Sequence, residues 1–159
     1  MRMGTIEVEQ ILSPTDDVRA LIGELDAELN IAYAPENRHG LNIDRIFQPN
    51  VMFFIARADG KPAGCGGVAF DHGLAEVKRM YVRPSARGRG VAQAILGRLV
   101  EEARLRGVNR IALETGDTQH AAMRFYERAG FARCGVFGVY ATMPPNAIQR
   151  SVFFEKAIG

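Results

Sequence analysis

Polar and apolar residues alternate from Thr5 to Leu12, where Ile6, Val8 and Ile11 interleave with Glu7 and Glu9. That period of two predicts a first strand. Ser13-Pro14-Thr15-Asp16 predicts a helix start, with Ser13 as N-cap and Pro14 at the first helical position. Val18, Leu21, Ile22, Leu25 and Leu29 then fall on one helical stripe. Residues 32–50 lose this regularity, although Asn42 is placed to cap a short helix carrying Ile43, Ile46 and Phe47. Such a segment reads as a substrate wall or lid, or as a solvated connector.

Val51–Ala58 and Ala63–Phe70 read as strands joined by Asp59-Gly60, a two-residue hairpin signal. Asp71-His72-Gly73 makes the next turn, and Leu74–Val82 the next strand, so an antiparallel meander is expected. Pro84 stops that strand, since proline has no N–H for a ladder. From Val91 the pattern turns helical: Val91, Ala92, Ile95, Leu96, Leu99, Val100 and Ala103 share a face, and Gly107 ends the helix. Arg110–Thr115 is a short strand, so strand, helix and strand predict one parallel pairing. A second helix spans about Gln119–Ala129 and stops at Gly130. Phe131–Val139 is expected as a glycine-interrupted strand, Pro144-Pro145 as a loop and Ser151–Lys156 as the last strand.

Composition narrows the partners. The 159 residues suit a single domain, 1–159, with its own core, and 47% hydrophobic content excludes disorder. A net charge of +2 argues against a nucleic-acid partner. No apolar run approaches the 18 or so residues of a membrane span, and the stretch MRMGTIEVEQ lacks a signal-peptide core. A cytoplasmic protein with no membrane partner is expected. Two cysteines and three scattered histidines make neither a disulfide framework nor a zinc pattern, so no metal is expected.

The chemistry concentrates in Glu76–Leu96, EVKRMYVRPSARGRGVAQAIL. A glycine-rich loop opening a helix aims free amides, backed by the helix dipole, at one point. Arg79, Arg83, Arg87 and Arg89 cluster around it, which favours one phosphorylated small ligand.

Arg87-Gly88-Arg89-Gly90-Val91-Ala92 matches the Arg/Gln-x-x-Gly-x-Gly/Ala signature of the GNAT superfamily of N-acetyltransferases. MYV before it, a helix after it, then LET, RFYERAGF and SVFFEK extend the resemblance over nearly the whole chain. The resemblance implies an α/β (α+β) fold: a mixed, twisted, mostly antiparallel sheet of about seven strands, with helices on both faces. The fourth and fifth strands would splay to admit acetyl-CoA. The backbone of Met80, Tyr81 and Val82 would meet the pantetheine, and Arg87, Gly88, Arg89, Gly90, Val91 and Ala92 the pyrophosphate. Gln119 stands where many relatives keep an Asn that contacts the cofactor. A homodimer is entertained without a sequence feature that decides it.

Acetyl transfer needs a neutral amine, and a free alkyl amine has a pKa of roughly 10. A base must therefore take a proton, directly or through water. Glu76 matches a catalytic Glu in the histone-acetylating branch; the bland alternative is a sheet ion pair with Lys78 or an arginine. An N–H near Met80 would face the developing oxyanion. Tyr126 matches a family tyrosine near the sulfur and would protonate the leaving thiolate; the alternative is a core tyrosine. Glu114 either faces the cleft or caps the next helix.

The expected function is thus transfer of acetyl to a primary amine of a small molecule, including an amino-acid-like one, or of a peptide. A non-catalytic acyl-CoA sensor is the alternative. A Rossmann fragment fails because no early βαβ unit exists. A covalent route through Cys65 or Cys134 lacks an adjacent activating His. Acceptor recognition falls to residues 30–48 and 136–150, with Tyr33, Arg38, His39, Phe137 and Tyr140; Arg38 suits a carboxylate, or is solvated.

Overall fold

Two tight turns set the first half of the sheet. Asp59 and Gly60 have φ of 53° and 81°, and His72 and Gly73 have 47° and 78°. Paired positive φ values give turns whose twist matches that of the flanking strands. They join β2 (Val51–Ala58), β3 (Lys61–Asp71) and β4 (Leu74–Val82) into an antiparallel meander, with β1 (Ile6–Ile11) on the outer side of β2. The rest of the sheet is β5 (Arg110–Gly116), β7 (Ser151–Ala157) and the two-residue β6 (Ala132–Arg133). This computed structural model describes residues 4–159; the first three residues of the amino-terminal stretch read for a targeting signal lie outside the described residues. Strand order across the sheet is β1-β2-β3-β4-β5-β7-β6, and β4–β5 is the one parallel pair among the described residues. The expected mixed, mostly antiparallel seven-stranded sheet is therefore present.

Both faces are covered. The stripe of α1 (Asp16–Ala32) packs Val18, Leu21, Ile22 and Leu25 on Phe53, Ile55, Cys65 and Tyr81. On the opposite face, α2 (Val91–Leu105) sets Ile95, Leu99 and Ala103 against Phe54, Val68 and Val77. Met123 and Tyr126 of α3 (His120–Arg128) join the same cluster. Strand β2 supplies Phe53 and Ile55 to one face and Phe54 and Ala56 to the other, as a period of two requires. No helix among the described residues is long and apolar enough to cross a membrane.

Three local expectations need correction. The N-cap of α1 is Thr15, not Ser13: its hydroxyl accepts from the Val18 amide, and Asp16 and Asp17 occupy the first turn. The strand expected over Phe131–Val139 stops after Arg133; Phe137 turns inward and Gly138, at φ 55°, opens a one-turn 3-10 helix over Gly138–Thr142. The driving force is aromatic burial, because Phe137 and Tyr140 pack on Phe153 in a separate small core. Pro145 is not in a loop but opens α4 (Pro145–Ile148).

A bulge in β4 decides which side chains share a face. Cys65 stands opposite Tyr81 but Gly67 opposite Lys78, so β4 has one residue more than β3 there. Arg79 absorbs it at φ 56°. Val77, Met80 and Val82 consequently pack with the α2 cluster, whereas Tyr81 packs with α1. Without the bulge, Val77 and Tyr81 would share a face.

Helix α2 approaches β3 closely at Gly66, where an added Cβ would lie 2.7 Å from Ile95 Cγ2. Gly66→Ala is expected to destabilise by about 1–3 kcal/mol through overpacking. Ile95→Ala alone should cost about 2–5 kcal/mol as a cavity. The two should combine to less than their sum in denaturant unfolding, since the new methyl enters the vacated space; additive costs would exclude this contact.

Candidate active site

Strands β4 and β5 pair only through Ala75–Ile111 and Glu76–Ala112. Beyond Glu76 they separate, and a cleft opens between them. The Arg83 amide donates to Ala63 O on β3. By strand alternation the Tyr81 backbone then faces β3, and the backbone groups of Met80 and Val82 face the cleft. Of the three residues expected to meet the cofactor through the main chain, two are thus suitably aimed, and Tyr81 instead buries its ring under α1 with its hydroxyl on Glu24.

The loop at the end of β4 leads into α2. Gly88 and Gly90 have φ of 78° and 85°, and Gly90 is the N-cap. No side chain caps this helix and no acid lies in its first turn, so the amides of Val91, Ala92 and Gln93 remain for an anion. Both loop arginines are engaged within the protein. Arg87 donates to Val82 O at 3.0 Å and to Glu28 at 3.1 Å, and Arg89 to Asp59 at 3.2 Å. Arg87 thereby covers a carbonyl that faces the cleft. This loop fits a pyrophosphate chiefly through amides and the helix dipole.

The floor of the cleft is polar. Glu76 Oε2 accepts from the Tyr140 hydroxyl at 2.5 Å and from Lys78 Nζ at 3.0 Å. Lys78 Nζ also donates to Tyr140 Oη at 2.8 Å and His39 O at 3.2 Å. The ion pair anticipated as the bland reading of Glu76 is therefore real. It uses one oxygen; Oε1 has no partner among the described residues and is not sealed from solvent. Burial, then the charge of Glu76, push the Tyr140 hydroxyl well above the usual phenol range, so it remains a donor.

Glu114 lines the cleft from β5 and accepts from Ser151 at 2.6 Å. It caps no helix: the N-cap of α3 is Gln119, whose side chain makes no cap bond but lines the cleft. Burial raises the Glu114 carboxyl above its ordinary range, against the lowering effects of Ser151, His39 and Lys78. Tyr126 lies in the cleft wall between Phe125 and Phe131, with its hydroxyl bonded to no described residue, and burial raises its pKa. The ring belongs to the core, as the alternative reading expects, and the residue also lines the cleft.

The far wall comes from residues 33–40. Tyr33, Asn37, Arg38 and His39 all line the cleft. His39 is no surface residue, since Nε2 lies 2.7 Å from Ala147 O and its ring meets Tyr140 edge-on. The Tyr33 hydroxyl reaches Thr118 Oγ1 at 2.7 Å and crosses above Gly116. Phe137 stands behind Tyr140 rather than in the cleft. Neither cysteine lines the cleft; burial pushes Cys65 up to about 12 and raises Cys134, so neither supplies a thiolate. Asn37 carries no motif and is the wall residue with no signal in the sequence.

A strand pair that parts over a glycine-rich helix start defines an acyltransferase of the acetyltransferase (GNAT) type. The chain belongs to this family: the model of the acetyltransferase (GNAT) family matches residues 19–131. An IAA acetyltransferase of Azospirillum brasilense is 40% identical, covering 92% of this chain and 94% of its own. The N-acetyltransferase YsnE of Bacillus subtilis, itself uncharacterized, is 32% identical over 89% and 92%. A candidate acyl-CoA N-acyltransferase from Klebsiella pneumoniae superposes with a TM-score of 0.79, at 32% identity and 99% coverage of both chains. A Bacillus subtilis acetyltransferase solved with CoA shares the fold, with a TM-score of 0.72 at 16% identity over 98% and 100%.

Two measurements probe this geometry. Gly90→Asp puts a side chain at positive φ and a negative charge at the α2 start, and CoA affinity should fall at least tenfold; unchanged affinity by calorimetry would exclude this loop as the phosphate site. For Glu114 the folded pKa is raised, so its contribution is full below the unfolded value of about 4 and is lost as pH rises through the folded one. Glu114→Gln removes that loss. Its melting temperature relative to wild type should increase between about pH 4 and 8, and a flat difference would contradict the burial effect.

Proposed function

We propose that the protein transfers the acetyl group of acetyl-CoA directly to a primary amine of a small molecule or peptide, with Glu76 as base and Tyr126 as acid. The observation that carries this reading is the position of Glu76. It is the last β4 residue paired with β5, at the apex of the cleft, with one carboxylate oxygen free. An amine reaching the apex would give its proton to Oε1, directly or through one water. Oε2 is held by Lys78 and Tyr140, which fixes the carboxylate in the cleft.

The other residues divide the work along β4. Met80 and Val82 offer backbone groups to an extended pantetheine, as a neighbouring strand would. The Met80 amide is the donor for a carbonyl oxygen gaining charge. Gly88, Gly90, Val91 and Ala92 receive the pyrophosphate on amides, flanked by Arg87 and Arg89; Gln119 offers an amide side chain across the cleft. Tyr126 stays protonated and gives its proton to the departing thiolate. When bound, the thioester supplies the activated acyl group.

A panel of primary amines, with IAA as a separate arm because of the Azospirillum relative's name, tests the reading by thiol release from acetyl-CoA. Turnover with an amine is expected. Glu76→Gln should lower kcat by about 10²–10⁴-fold, less so as pH rises and more amine arrives neutral, and Tyr126→Phe should lower it with little change in CoA affinity. Full activity of Glu76→Gln would remove Glu76 from the chemistry.

A further inference from the structure

The cleft lining gathers basic side chains, and all but one are committed. Lys78 has three N–H donors, and three protein acceptors take them: Glu76, Tyr140 and His39 O. Arg79 is buried and paired with Asp26 through its terminal nitrogen, although its Nε, like that of Arg38, has no partner. His39 is tied through Nε2 to Ala147 O. Arg38 differs. It lines the cleft, its Nε is buried without a partner, and its guanidinium makes no ion pair or hydrogen bond with any described residue.

Nearby acids do not compensate it. Glu76 is held by Lys78 and Tyr140, and Glu114 by Ser151. Beside Arg38, Asn37 Oδ1 is also buried without a partner and also belongs to the cleft wall. Buried polar groups in folded proteins nearly always have partners, so a neighbouring donor and acceptor left unpaired together point to something the site binds. A guanidinium keeps its charge at any working pH and presents a planar fork that fits a carboxylate with two parallel bonds.

We propose that Arg38 anchors a carboxylate of the acceptor, so that the acceptor is an amine that also bears a carboxylate, as a free amino acid does. This rests on the amine-transfer reading above and narrows it. Asn37 Oδ1 accepts a further polar hydrogen of the same ligand. Peptide amines and carboxylate-free polyamines are disfavoured, because both leave the Arg38 guanidinium in the cleft wall without a counter-ion.

Matched compounds test this: alanine, phenylalanine and lysine, each beside its carboxamide and the amine lacking the carboxyl group. With acetyl-CoA and the wild-type protein, at least one amino acid should exceed its two analogues by about tenfold or more in kcat/KM, the range of a charge-assisted hydrogen bond. Arg38→Met keeps the apolar stem and should erase that preference through KM rather than kcat. Arg38→Lys should restore part of it. Equal use of amino acid and carboxamide by the wild type, or a preference retained in Arg38→Met, would overturn the proposal. If no amine turns over, the transfer reading fails, and calorimetric titration of the same compounds decides the anchor. Binding of the carboxylate form that Arg38→Met abolishes supports it; binding that is absent or insensitive to Arg38 overturns it.

Discussion

Two residue pairs hold β4 to β5, and then the ladder ends. A sheet that stops pairing in its middle leaves amides and carbonyls facing each other across a gap, which is unfavourable unless something else completes them. The gap lasts because other forces hold both strands: β4 is anchored to β3 along its length, and β5 to β7 over seven positions. The Arg79 bulge bends β4 further and turns Tyr81 under α1. Each strand is satisfied on its outer side, so the inner edges remain open for a ligand that resembles a strand.

The apex of that gap is where folding and chemistry meet. Glu76, Lys78 and Tyr140 join β4 to a segment more than 60 residues later in the chain, and Lys78 adds the loop after α1 through His39 O. The network is half-buried and densely bonded, which strengthens each bond and makes each loss expensive. A carboxylate in such a frame serves two ends: one oxygen holds Tyr140 and Lys78, through which the three segments are tied, and the other stays open to the cleft. The residue proposed as base is thus also part of the scaffold that holds the cleft together.

Much of this could be read from local sequence, because the signals are local. Asp59-Gly60 and Asp71-His72-Gly73 specify the meander, and Gly88 and Gly90 before the Val91–Ala103 stripe specify the loop and α2. Glu76 and Tyr126 became candidates only through their places in a family pattern, Glu76 on the strand before the loop and Tyr126 within RFYERAGF. The bulge was not legible, since nothing in KRMYV distinguishes Arg79 from an ordinary strand residue; the cause is the packing of Tyr81 on α1. The β6 region misleads for a related reason: Val136, Phe137 and Val139 have strand propensity, yet burial of Phe137 and Tyr140 on Phe153 outweighs it.

Tyr33 closes the end of α1 over the end of β5. Its hydroxyl takes the Thr118 amide and meets the Thr118 side chain, and its ring lies under the Arg150 guanidinium. It fills the space where any side chain at position 116 would be, since a Cβ there would fall 2.0 Å from its hydroxyl. The rim of the cleft is therefore inherited as a pair of choices. A side chain at 116 requires Tyr33 to move or shrink, so the width of this end of the cleft is set by positions 33 and 116 together and by neither alone.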